Sequence, residues 1–124
     1  MGVGDPLEAS YTLAGPIAAG SWHLIGDGLI LATVDVRFDV LWRSSAGDHV
    51  IATFTNHFVQ PTGAQAFNAV LLDADAPGVA AAAVAGDLLV LRMTATASMA
   101  SGPAYIPNAD GPHTNGRIPS LTLP

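Results

Sequence analysis

Residues 28–60 read GLILATVDVRFDVLWRSSAGDHVIATFTNHFVQ, and their alternation decides the fold. Taken with a period of two, Val34, Val36, Phe38, Val40 and Trp42 share one face, while Thr33, Asp35, Arg37, Asp39 and Arg43 share the other. After the polar turn Ser44-Ser45-Ala46-Gly47-Asp48 the alternation resumes, with Val50, Ala52, Phe54 and Phe58 set against His49, Thr53, Thr55 and His57. Such a pattern predicts two half-buried strands joined as a hairpin. A turn fixes register. With Arg43 opposite His49, Trp42 meets Val50, Val40 meets Ala52, Phe38 meets Phe54 and Val34 meets Phe58. The other side pairs Leu41 with Ile51, Asp39 with Thr53, Arg37 with Thr55 and Asp35 with His57. A slip of one residue would set charges against the aromatic side chains, so this register is strongly favoured. Asn56 falls opposite Val36 on the apolar face. A buried amide needs partners, so Asn56 is expected either to bond a neighbouring loop's backbone or to be solvated at a bulge.

Outward from this hairpin, residues 7–14 alternate weakly and stop at Gly15-Pro16, which predicts a first strand. Residues 20–25 form a second, closed by Gly26-Asp27-Gly28, a strong turn signal. The first arm of the hairpin, from residue 28 onward, is longer than a typical strand of about five or six residues. It is therefore expected to twist and pass from one sheet to the other. Residues 64–75 predict another strand of ambiguous phase, and residues 88–99 the clearest late one, with Leu89, Leu91, Met93, Ala95 and Ala97 on one face. Residues 77–86 are alanine-rich behind Pro77 and fit a short helix or a loop equally well. Residues 102–124 are rich in Pro and Gly, with room for short strands at 104–106 and 117–123, at edges or strand starts. About eight strands with almost no helix predict an all-β, two-sheet antiparallel β-sandwich, jelly-roll-like, over one domain of residues 1–124. An immunoglobulin-type sandwich is the runner-up, without its Cys–Trp–Cys spacing because the chain has no cysteine.

Half of the residues are hydrophobic and only 11% are charged, where an ordinary domain carries about 25%. Lysine is absent, and Arg37, Arg43, Arg92 and Arg117 stand against nine aspartates and Glu8, giving a net charge of −6. Four scattered arginines build no phosphate-binding patch, which disfavours nucleic acid as a partner. Too few ionised side chains remain to coat a monomer. Either small neutral residues make the surface, or other subunits cover part of it, and the second is favoured. Residues 1–6 lack the basic region and apolar core of a secretory signal. No stretch approaches the ~20 apolar residues of a membrane span, so membrane insertion is not expected.

No motif names a reaction. Asp35 opposite His57 is half of a nucleophilic triad, but no serine on a strained elbow completes it, and such pairs commonly sit as solvated neighbours on a sheet. The histidines His49 and His57 share a face but lie on the order of 26 Å apart at strand rise, too far for one metal ion. Asp27, Asp48, Asp73, Asp75, Asp87 and Asp110 fall at predicted turns. Asp73-Ala74-Asp75 and Asn108-Ala109-Asp110 are the places to look for calcium, although turn chemistry explains acidic residues there more simply. Gly26-Asp27-Gly28 is not a phosphate loop, since no helix follows it. Trp22 and Tyr105 could form a sugar-stacking platform or simply pack in the core. The candidate ligand or interface residues are Tyr105, Asn108, Asp110 and His113. No catalytic set, cofactor or metal is expected.

The favoured reading is a non-catalytic structural subunit, such as a virion capsid, capsid-decoration or surface-fibre protein. It would act as a homo-oligomer in a virion or at a cell surface, synthesised and assembled in the cytoplasm if no signal precedes it. The runner-up is a carbohydrate- or other ligand-binding module, with a glycan as the possible partner. A small hydrolase or isomerase using Asp35 and His57 comes third.

Overall fold

The computed structural model describes residues 4, 6–60, 68–98, 105–107 and 120–124. The strands are β1 (Leu7–Thr12), β2 (Gly20–Ile30), β3 (Val34–Ser44), β4 (Gly47–Phe58), β5 (Asn68–Gly78), β6 (Leu88–Ser98), β7 (Tyr105–Pro107) and β8 (Ser120–Thr122). They form two antiparallel sheets. The first has the order β1-β6-β3-β4; the second has β5-β2-β7, with β8 also paired to β2. The pairings nest: β3 with β4 innermost, then β2 with β5, then β1 with β6. A long hairpin folded over on itself wraps in this way, which is the jelly-roll-like arrangement expected of the sequence.

Alternation explains the core. On β3, Val34, Val36, Phe38 and Val40 are each no more than 1% exposed, and Leu89, Leu91, Met93 and Ala95 of β6 are buried beside them. The second sheet contributes Trp22, Leu24, Ile30, Leu72, Ala76 and Tyr105. Each large apolar side chain withdrawn from water contributes roughly 1.5–3 kcal/mol. Tyr105 joins the sheets: its ring meets Phe38 edge-on at 5.9 Å and stacks on Phe58 at 5.4 Å.

The hairpin register holds from Val34↔Phe58 through Val40↔Ala52 and then shifts. Beyond Val40, Leu41 faces Val50, Trp42 faces His49 and Arg43 faces Asp48. The turn is two residues, Ser45-Ala46, with Gly47 at a φ of 122°, where glycine is strain-free. This turn is shorter than the five residues expected, and Ile51 absorbs the extra residue as a β-bulge. The Ile51 carbonyl accepts the Val79 N–H at 3.0 Å, tying the first sheet to the end of β5. Trp42 accordingly lies over His49, and Val50 is exposed.

Gly26-Asp27-Gly28 is not a turn: β2 runs through it unbroken. A Cβ on Gly28 would lie 2.4 Å from the Tyr105 ring, so the glycine is there for close approach rather than for a bend. The first arm of the hairpin begins only at Val34, after the break at residues 31–33, and β3 stays within one sheet. None of the described residues is helical. Pro77 lies inside β5, an edge strand where its missing N–H is tolerated. The alanine-rich stretch after it is a loop that touches Ile17 through a bridge at Ala81. The phase of β5 is settled by Leu72 and Ala76, which are buried. Where Gly78 passes Trp22, a Cβ would come within 2.2 Å of the indole Nε1. That Nε1 is buried and has no hydrogen-bond partner among the described residues.

Replacing Gly28 with alanine forces a methyl into the Tyr105 ring. The Gly28→Ala variant is expected to lose about 1–3 kcal/mol of stability, seen in urea titration as a lower midpoint at unchanged slope.

Candidate functional site

The Asp35–His57 pair lies where the β3–β6 register slips. Asp35 faces Ala97 but Val36 faces Ala95, so Thr96 is the extra residue of a second bulge. Beside the slip is a depression of about 440 Å³ in the first sheet, lined by Asp35, Val36, Arg37, Thr55, Asn56, His57 and Thr96. The His57 Nδ1 is hydrogen-bonded to Asp35 Oδ1. The Thr96 hydroxyl donates to the Asp35 backbone carbonyl at 3.4 Å, and Arg37 Nε donates to Asp39 Oδ2 at 2.8 Å. Asn56 lines this depression and remains half-buried.

A carboxylate orienting an imidazole is two parts of a three-part relay. Among the described residues no hydroxyl is hydrogen-bonded to His57. Thr96 is turned to the backbone, and Thr55 sits two residues along the same strand, its Cα about 7 Å away at strand rise. The pair is also open to water, with side chains 61% and 46% exposed. This arrangement can hold a polar group by hydrogen bonds.

The larger electrostatic feature joins four strands on the same outer face. Glu8 of β1 faces Arg92 of β6, and Arg43 of β3 faces Asp48 of β4. Arg92 Nε donates to Glu8 at 2.7 Å and Arg43 Nε to Asp48 at 2.7 Å. Their terminal nitrogens cross over, Arg43 Nη2 to Glu8 and Arg92 Nη2 to Asp48, both at 3.3 Å. The four charges therefore close a ring. Between its two rows lie Leu41 and Val90, which point outward and yet are 1% and 0% exposed. Long arginine stems cover apolar surface while their heads stay wet, which accounts for that burial. The hydrogen bond from Arg92, followed by that from Arg43, holds the Glu8 carboxyl below the usual range despite some desolvation. Arg43 does the same for Asp48, and Asp48 in turn raises Arg43.

On the opposite sheet, His23 sits between two carboxylates, Nδ1 at 2.6 Å from Asp75 and Nε2 at 3.0 Å from Asp73. Both aspartates belong to β5 rather than to a calcium-type loop, and Asp27 lies buried within β2. Among the described residues no group of three such side chains is placed to hold a metal ion. Asp87 accepts from Trp42 Nε1 at 2.9 Å and from the Val84 N–H at 3.1 Å, bonds that lower its pKa.

Of the candidate residues, Tyr105 is 1% exposed. Its ring is enclosed by Phe38 and Phe58 and offers no face to a sugar. Burial, then the nearby Asp27 charge, pushes its hydroxyl pKa up. Trp22 is likewise a core residue. Asn108, Asp110 and His113 lie outside the described residues. The ring of Glu8, Arg43, Asp48 and Arg92 is not among the sites the sequence predicts. Its members' outward parity was readable, but not that β1 and β6 would join them. Comparison with protein-family models, with curated proteins and with solved structures found no match for this chain.

The lowered carboxyls of Glu8 and Asp48 stabilise the fold above their unfolded pKa values, about pH 4, and cease to do so as pH falls through the lower folded values. The melting temperature is therefore expected to drop on acidification below about pH 4. A Glu8→Gln, Asp48→Asn double variant should melt lower at pH 7 and lose less on going to acid, as measured by thermal denaturation across pH.

Proposed function

We propose that this chain is a non-catalytic structural subunit that packs with copies of itself into a symmetric assembly of the virion-shell, capsid-decoration or surface-fibre kind. One observation carries this reading. Leu7, Tyr11, Val50, Val59, Leu71, Val79, Val84 and Leu123 are large apolar side chains left substantially exposed. Meanwhile Arg37, Arg43 and Arg92 are all held in ion pairs on one face of the first sheet. Apolar side chains are thus left exposed on β1, β4 and β5 and on the segments that follow β4, β5 and β8. Such side chains are what packing against other copies would cover. The Asp35–His57 pair, without a hydrogen-bonded nucleophile among the described residues, gives little support to a hydrolase.

A ligand-binding role is the second reading, favoured by the depression at Asp35, Val36, Arg37, Asn56 and His57. It has lost its aromatic platform with Tyr105 in the core. A place in a virion or on a cell surface follows from the assembly reading alone. Size-exclusion chromatography with light scattering is expected to give a discrete oligomer at micromolar concentration. A clean monomer there would contradict the proposal.

A further inference from the structure

The sheet edges of this molecule differ in how they are protected. Edge strands carry unpaired backbone N–H and C=O groups, and proteins guard them with charge, proline, bulges or shortness. In the first sheet, β1 is six residues long, follows Pro6 and carries Glu8. In the second, β5 carries Asp73, Asp75 and Pro77, and β7 and β8 are three residues each. The remaining edge is β4, which ends the order β1-β6-β3-β4 and has no strand on its far side among the described residues. It is twelve residues long. Residues 49–59 contain no Asp, Glu, Lys, Arg or Pro and are rich in Val, Ile, Thr and Phe. The bulge at Ile51 blunts its first part only, leaving Ala52 to Phe58 regular. Three of the exposed apolar side chains flank it: Val50 at 58%, Val59 at 64%, and Val79 at 61%, whose amide bonds Ile51.

We infer that β4 is the seam at which a second copy of this chain docks, strand to antiparallel strand about a two-fold axis, making one continuous sheet from two. The inference rests on the assembly reading above and names the surface it uses. A second copy is the occupant that the charges favour. The chain carries a net charge of −6 and repels its own kind generally, yet this long edge has no ionised acid from residue 49 to residue 59. Facing directions restrict the register, because paired residues must point to the same side of a sheet. Ala52, Phe54 and Phe58 face the core, while Thr53, Thr55 and His57 face out. With the axis at Thr55, that residue meets the partner's Thr55, Thr53 meets the partner's His57, and Ala52 meets the partner's Phe58. Threonine–threonine pairs and aromatic contacts of this sort favour cross-strand pairing. Arg37, the nearest arginine in the next strand, would be about 14 Å from its symmetry mate across three strand spacings, beyond the screening length.

The chain has no cysteine, so a single one reports proximity cleanly. Thr55 is exposed and outward-facing. Opposed residues on paired antiparallel strands are close enough for a disulfide. Under mild oxidation, Thr55→Cys is expected to give a covalent dimer. Ser10→Cys on the guarded β1 edge should not. Thr55→Lys, which adds a guard charge at the axis, should break this contact and lower the assembly's mass at least two-fold, with its far-UV circular dichroism unchanged. If the wild type is oligomeric but Thr55→Cys does not cross-link and Thr55→Lys keeps the full mass, the seam is wrong while the assembly reading stands. If the wild type is a monomer at micromolar concentration, both fall.

Discussion

The structure depends on the apolar face of β3. This strand is flanked by β6 and β4, so its backbone is paired on both sides. Its side chains Val34, Val36, Phe38 and Val40 fill the middle of the sandwich. Everything across from it is fitted to that face. Tyr105 packs against Phe38 and Phe58, and Gly28 has no side chain because the Tyr105 ring occupies that space. A register error in β3 would turn Asp35, Arg37 and Asp39 inward, each at a cost of several kcal/mol for an unpaired buried charge.

The outer face of β3 follows a different rule. There the sequence places ionised groups at alternate positions, and the structure uses them locally. Arg37 turns to Asp39, which also accepts from Thr53 at 2.9 Å. Arg43 joins Arg92, Glu8 and Asp48 in a ring over two outward apolar residues. Isolated surface pairs contribute little, roughly 0–1 kcal/mol. The ring matters more for what it shields, since Leu41 and Val90 would otherwise meet water on an open sheet face. The result is a first sheet whose outer face is covered by its own charges, and a β4 edge with none from residue 49 to residue 59.

Much of this is legible in the sequence alone. Alternation in residues 34–40 and 52–58, broken by Asn56 alone, carries parity, and the pairing there is the one the sequence predicts. Parity fails where apolar residues come in doublets. Leu41-Trp42 and Val50-Ile51 read equally well in two phases, so the bulge at Ile51 and the shorter turn left no trace in the pattern. Gly26-Asp27-Gly28 imitates a turn because glycine serves both bends and close approaches, and the Tyr105 ring that requires it is distant in sequence. The charge ring draws on β1, β3, β4 and β6, a meeting set by topology rather than by local spacing. Asn108, Asp110 and His113 fall outside the described residues, so of the candidate site only Tyr105 is placed, and its surroundings are those of a core residue.

The same architecture bears on function through its edges. A sandwich whose central strand is locked on both sides can leave one border strand open without loosening its core. Native-state hydrogen exchange tests that central claim most directly. The account predicts that the amides of β3 and β6 exchange only through global unfolding, more slowly than those of β1 and β8. Exchange of the β3 amides as fast as those of β1 would contradict it, because β3 would then not be the strand that holds the two sheets together.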